Sequence, residues 1–356
     1  MPLSGKNWMT TIHEQTRVRH ITVPGSHDAG VSKAFNAAKG FFSRRMDAGR
    51  YICQDADIAG QLAAGARFFD IRFGLRDGEA TTEHQTAGFG GWGEDATSIF
   101  QSIDAFLAAN TKEFVMLRIS HTNKAAGEKV FEAQQAKLNI ARTFRPATQV
   151  NIANTRIGEL RGKAVVAYSK DSIETPDSNK GQIRFGKASK SSREGLVTCG
   201  SYPNSHDMAL INYKSAKRTA EHRALGCNHG TGATSPDHLF MLYWQMTGGI
   251  VEEHTKKGAA HLASAEQART CDATKGTHYN LRYLLESFLV GGLQGQSVTH
   301  AHTGRSDGVQ QYPPRDLNRL KWVPNIINLD FLNEELCMQI AEFTLRNLGD
   351  GNITGD

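Results

Sequence analysis

The chain has 356 residues, 39% of them hydrophobic and 22% charged, which supplies a large core and leaves too little charge for a disordered chain. Its formal charge of +5 permits attraction to an anionic membrane surface, while the lack of a basic stripe interleaved with aromatics argues against nucleic acid as a partner. Five cysteines at positions 53, 199, 227, 271 and 337 show no spacing of a zinc knuckle, a redox motif or a disulfide framework.

The opening MPLSGKNWMTTIHEQ has no basic-then-apolar leader. The longest mostly apolar stretch, Leu239 to Val251, is too short to span a bilayer. The expectation is a soluble protein, cytoplasmic or exported by a signal-free route. Candidate strands follow in chain order at His20–His27, Ala66–Phe73, Glu113–His121, Lys163–Ser169, Leu196–Tyr202, Leu239–Gln245 and Asn325–Phe331, with a weaker eighth at Thr81–Thr86. Several are continuous apolar runs, such as FVMLRI and AVVAY, which is how strands buried on both faces read. Helical patterns lie between them at Asp57–Leu62, Ala96–Ala109, Glu128–Ala141, Ser205–Leu225, Ala259–Val290 and Asn333–Leu348. About eight strands alternating with helices predict a single distorted (β/α)8 barrel over residues 1–356, with a long polar loop at about 170–195.

Barrel enzymes place their chemistry at the C-terminal ends of the strands. Those ends carry His27-Asp28 after the first strand, Asp70-Ile71-Arg72 at the second, His84 in the weaker candidate and Asp330 after the last. A histidine changes protonation near neutral pH, so two can serve as base and acid in one turnover. Each needs a carboxylate to hold its tautomer, and Asp28 and Asp330 are available. Arg72 stays charged and can grip a phosphate as charge builds on it. Together these groups suit attack by a hydroxyl on a phosphodiester.

Trp8-Met9, ITVPGSHDAG, QLAAGARFFDIR, His84, KEFVMLRIS and NIINLDF resemble, in order, the X-domain of phosphatidylinositol-specific phospholipases C. The pattern is similar to the metal-independent bacterial enzymes and to the trypanosome glycosylphosphatidylinositol phospholipase C. The resemblance implies His27 as general base held by Asp330, and His84 as general acid held by Asp28. It implies Arg72 as stabiliser of the phosphorane, with Asp70 orienting Arg72 or touching substrate. The implied products are diacylglycerol and inositol 1,2-cyclic phosphate. Where calcium-dependent relatives keep an acidic ligand, this chain has Arg72, so no metal and no cofactor are expected. Gln85 follows His84 where the family often has glycine. His121, Lys170 and Tyr202 are the candidates for contact with the inositol ring.

The partner expected is phosphatidylinositol in a membrane, met by a monomer through peripheral contact, with Phe41-Phe42, or Phe89 with Trp92, dipping into lipid. The competing readings are a metal-dependent glycerophosphodiesterase or sphingomyelinase D-like barrel, which Arg72 opposes, and a catalytically silent lipid-binding module.

Overall fold

The computed structural model describes residues 3–35, 52–86, 89–187, 194–200, 238–244, 285 and 324–348. Eight parallel strands close into a barrel: β1 (Val23–Ser26), β2 (Phe68–Ile71), β6 (Val115–Ile119), β7 (Ala164–Tyr168), β8 (Ile183–Lys187), β9 (Leu196–Cys199), β10 (Leu239–Trp244) and β11 (Ile326–Leu329). Around the barrel they run in the order β1-β11-β10-β9-β8-β7-β6-β2. A separate antiparallel sheet of β3 (Phe73–Arg76), β4 (Glu79–Thr86) and β5 (Phe89–Asp95) follows β2.

That small sheet corrects one expectation. Thr81–Thr86 belongs to β4, outside the barrel, and the eighth barrel strand is β8, inside the stretch expected as a polar loop. The physical reason is burial. β8 is half-buried along most of its length, so its sequence IRFGK lacks the apolar run that marks β6 and β7. The β3–β4 turn is Asp77-Gly78, with φ of 53° and 84°, the left-handed pair that a two-residue hairpin requires.

The helices begin at side-chain caps. Asp57 accepts from the Gly60 N–H at the start of α1 (Ile58–Ala64), and Asp95 accepts from Ser98 at α2 (Ala96–Ala109). Asn123 accepts from Ala126 and starts α3 at Lys124, running to Lys137, four residues before the expected Glu128. A single turn, α4 (Ile157–Leu160), precedes β7, and Asn333 caps α5 (Glu334–Leu348) through the Leu336 N–H. The expected helices Ser205–Leu225 and, apart from Leu285, Ala259–Val290 lie outside the described residues. Among the described residues no helix is long and apolar enough to cross a membrane.

Strand alternation divides the core. Phe69, Leu117 and Val166 face the helices, while Phe68, Met116, Val165, Met241 and Ile326 pack with Trp8 and Met9 in a second cluster inside the barrel. At the N-terminal end of the strands, Arg67 donates through Nε and Nη2 to Glu113 Oε2, at 2.9 and 2.7 Å, and through Nη1 and Nη2 to the carbonyls of Leu62, Ala66 and Gly5. Every oxygen in that set is used to offset burial of the charge, so removing either partner would leave an unpaired buried ion at a cost of about 3–5 kcal/mol.

Candidate active site

The opposite end gathers the chemistry. Counting by twos from the interior residues Val23, Phe68, Met116, Met241 and Ile326 arrives at His27, Asp70, Arg118, Tyr243 and Asp330, so the period of the strands aims these side chains into the mouth. Gly25 is needed on that path, because a Cβ there would stand 2.9 Å from Asn328 Oδ1 on the neighbouring strand.

His27 is 2% exposed. Its Nδ1 is 2.8 Å from Asp330 Oδ1, and its Nε2 is 3.3 Å from Asp28 Oδ2. Burial opposes the imidazolium, but Asp28 and Asp330 outweigh it, and the pKa of His27 is raised above the ordinary 6.5. Burial pushes Asp330 up, with the bond to His27 pulling the other way.

Asp28 is the hub. Its Oδ1 lies 2.8 Å from Arg72 Nε, an ion pair too bent for a hydrogen bond, and its Oδ2 lies 3.7 Å from His84 Nε2. Burial would raise its pKa, yet His27, His84 and Arg72 together hold the carboxyl below its usual range. The backbone of Asp28 has φ 42°, a left-handed value that turns the chain sharply after β1 and sets adjacent residues 27 and 28 on one cluster.

Two buried glutamines brace this turn. Gln54 donates from Nε2 to the carbonyls of His27 and Leu329, and its Oε1 accepts from the Leu332 N–H. Gln61 accepts from Ser26 Oγ and donates to the carbonyls of Ala29 and Ala56. Gln54 thereby ties the loop carrying Asp330 to the loop carrying His27. His84 arrives from β4, where it pairs with Gly91 of β5, and its side chain is 22% exposed.

The placements can be compared with expectation. His27, Asp28, Arg72, His84 and Asp330 form one cluster. Asp70, expected to orient Arg72 or to touch substrate, pairs with Arg118 rather than with Arg72. It accepts from Ser120 Oγ at 3.0 Å and pairs at 3.3 Å with Arg118, whose Nη1 also donates to the Tyr243 hydroxyl. The reason is register: Asp70 and Arg118 are directly paired residues of β2 and β6, both directed inward, whereas Arg72 lies beyond the end of β2 and reaches Asp28. His121, just past β6 at φ 53°, has its pKa lowered by the partial burial of its ring and by Arg72 and Arg118. Lys170 is exposed just past β7. Tyr202, Phe41 and Phe42 lie outside the described residues, as does the side chain of Phe89; Trp92 is half-buried on β5.

Sequence reasoning missed Arg118, Tyr243, Gln54, Gln61 and Cys53. Arg118 carried a signal, being the one charge within FVMLRI and in step with Asp70 on the neighbouring strand. Gln54, Cys53 and Gln61 carried none, since the first two lie on a loop and Gln61 acts from α1 on loop carbonyls that no periodic pattern marks.

No protein-family model matches the chain. Over 69 residues, 19% of this chain, it is 33% identical to the 1-phosphatidylinositol phosphodiesterases of two Staphylococcus aureus strains, Newman and NCTC 8325. It thus spans about a fifth of the length of the curated relatives it matches, 20% and 19%. The fold is similar to the phosphatidylinositol-specific phospholipase C of Listeria monocytogenes, with a TM-score of 0.60 and 14% identity over 96% of this chain and 99% of that one. It is also similar to the Staphylococcus aureus enzyme in a structure concerned with its membrane binding, with a TM-score of 0.54 and 15% identity over 96% and 97%. The structural neighbours are bacterial phosphatidylinositol-specific phospholipases C, and the (β/α)8-type barrel expected from the sequence is the one found.

Proposed function

We propose that this chain cleaves the phosphodiester of phosphatidylinositol, or of glycosylated forms of it, at a membrane surface and without a metal. The observation that carries the proposal is the pair of imidazoles on one carboxylate, His27 at 3.3 Å and His84 at 3.7 Å from Asp28 Oδ2, with Arg72 at 2.8 Å from the other oxygen. The names of the relatives support the substrate class, and the Staphylococcus aureus work on membrane binding supports the interface.

In this reading Asp330 keeps the His27 proton on Nδ1, so Nε2 accepts the proton of the inositol 2-hydroxyl. The freed oxygen attacks phosphorus, and the bond from phosphorus to the glycerol oxygen breaks. His84 delivers its proton to that oxygen, and diacylglycerol leaves with inositol 1,2-cyclic phosphate as the second product. Arg72 offsets the charge gathering on the non-bridging oxygens, work that a preorganised guanidinium does without reorientation. His84 stands at ion-pair distance rather than hydrogen-bond distance from Asp28, a looseness common before substrate binds. His121, Lys170 and Tyr202 are proposed to meet the inositol ring. Metal independence follows from Arg72, whose charge already covers the Asp28 oxygen that a hard cation would use.

The test is incubation of the full chain with phosphatidylinositol vesicles in EDTA, followed by phosphorus NMR. The expected result is the resonance of a five-membered cyclic phosphodiester, absent with His27→Ala. Cleavage that needs Ca2+ or Mg2+, or a linear phosphomonoester as the first product, would reject the mechanism.

A further inference from the structure

The cysteine spacing gives no metal motif, yet the fold carries Cys53 into the barrel mouth, where it is 5% exposed. Its Sγ lies 3.5 Å from His84 Nδ1 and 4.0 Å from Asp28 Oδ2, and that same oxygen is 3.7 Å from His84 Nε2. One donor atom from each of the three residues stands within 4.8 Å of the other two.

The separation of sulfur from Nδ1 matches a metal edge. Zinc bonds of about 2.3 Å to sulfur and about 2.05 Å to nitrogen, at a tetrahedral angle, hold the two donors about 3.6 Å apart. The observed edge is 3.5 Å. An edge from sulfur to a carboxylate oxygen needs about 3.5–3.7 Å, so Asp28 closes by about 0.3–0.5 Å from its 4.0 Å contact with sulfur. His27, Cys53 and Asp330 also converge, but their 2.8 Å Nδ1 to Oδ1 contact is a hydrogen bond and too short for an edge of about 3.4 Å around one ion. The ion therefore belongs on the Asp28 side.

Charge fits as well. Arg72 lies against Oδ1, and Oδ2 faces Cys53 and His84. A thiolate and a carboxylate neutralise a divalent cation, so Arg72 meets a site of no net charge. Sulfur and imidazole donors select zinc-like ions over calcium or magnesium. The partly exposed His84 side chain provides the way in.

We propose that Asp28, Cys53 and His84 form an inhibitory binding site for a soft divalent cation of the Zn2+ class. The ion forms bonds to Sγ, to a ring nitrogen of His84 and to Oδ2 of Asp28. The thiol proton leaves to solvent, and nothing is oxidised or reduced. While bound, the ion holds the acid and its carboxylate away from a phosphodiester. The inhibition rests on the function proposed above; the binding does not.

The experiment has two arms, both on the full chain freed of metal with EDTA. In the first, Co2+ is the probe. The native chain is expected to show thiolate-to-cobalt charge transfer in the near ultraviolet, lost in Cys53→Ala and in the near-isosteric Cys53→Ser, and equilibrium dialysis with Zn2+ is expected to show one fewer ion bound by each folded variant. In the second arm, about 10 µM free Zn2+ is expected to lower native turnover of phosphatidylinositol vesicles by about tenfold or more, with recovery in EDTA, against less than about twofold for either variant relative to its own metal-free rate. Equal spectra and stoichiometry in native and variant chains overturn the site. Full turnover with the ion bound overturns the inhibition. A chain that cleaves no lipid in EDTA overturns the functional reading and the inhibition with it, while the cobalt spectrum still decides the site.

Discussion

Replacing Asp330 by Asn probes the shorter of the two buried carboxylate contacts of His27. In the native chain His27 stands between two carboxylates, Asp330 at 2.8 Å from Nδ1 and Asp28 at 3.3 Å from Nε2. Burial alone would lower its pKa, and the carboxylates reverse that, so the ring titrates above 6.5. An opposite charge at this range is worth about 1–3 pKa units. With Asp330 neutral and burial unchanged, His27 falls by about that amount, equivalent to about 1.4–4 kcal/mol of lost imidazolium stabilisation. The new amide can also donate to Nδ1, which moves the ring proton to Nε2, the nitrogen that must accept one; an equivalent tautomer error costs about 10⁴ in rate in the serine-protease triad.

The direction of the pH effect follows. The native base is lost as pH falls through a value above 6.5, so the acidic limb of kcat/KM lies above 6.5 and moves downward in Asp330→Asn. Turnover followed by phosphorus NMR across the pH range measures the limb, and nitrogen-15 NMR of the His27 ring gives its titration directly. A native ring that titrates below 6.5, or a limb that does not move on loss of Asp330, refutes the reasoning.

Arg72→Lys keeps a charge but loses the planar fork, so kcat on vesicles is expected to fall by about 10²–10³ with little change in KM; steady-state kinetics within a few-fold of native would remove Arg72 from the transition state. Glu94, 1% exposed, has its pKa raised from 4.5 to about 8 by burial, with Asp57 and Asp95 adding and the Ile58 N–H opposing. The folded chain therefore keeps a proton that the unfolded chain loses above pH 4.5, and stability drains away as pH rises from there to about 8. About 3.5 units at about 1.4 kcal/mol each sets an upper bound of about 5 kcal/mol. Glu94→Gln still offers Ile58 an acceptor and is expected to be more stable than the native chain at pH 8, with the gap closing toward pH 5; urea titrations that show the same gap at both values would contradict this.

Much of the scaffold was legible because burial writes itself into composition. Strands β6 and β7 are covered on both faces, and their runs FVMLRI and AVVAY say so. The caps Asp57, Asp95 and Asn333 are local, since each bonds an N–H three residues on, and they can be read without a fold. The five residues of the cluster were also legible, because they sit at strand ends and in β4 within recognisable runs. Strand β8 was not, since a half-buried strand looks like a polar loop until its neighbours Tyr168 and Leu196 are placed beside it.

Pairing was beyond the sequence. Neighbours along the chain suggested that Asp70 would serve Arg72, but a barrel pairs residues across strands, and register gave Asp70 to Arg118 and Arg72 to Asp28. Local order in the chain determined which residues lie at the mouth. Only closure of the barrel decided which of them touch, and brought Gln54 and Cys53 onto residues that they had no periodic relation to, because contacts between loops depend on where strands end in space rather than on spacing along the chain.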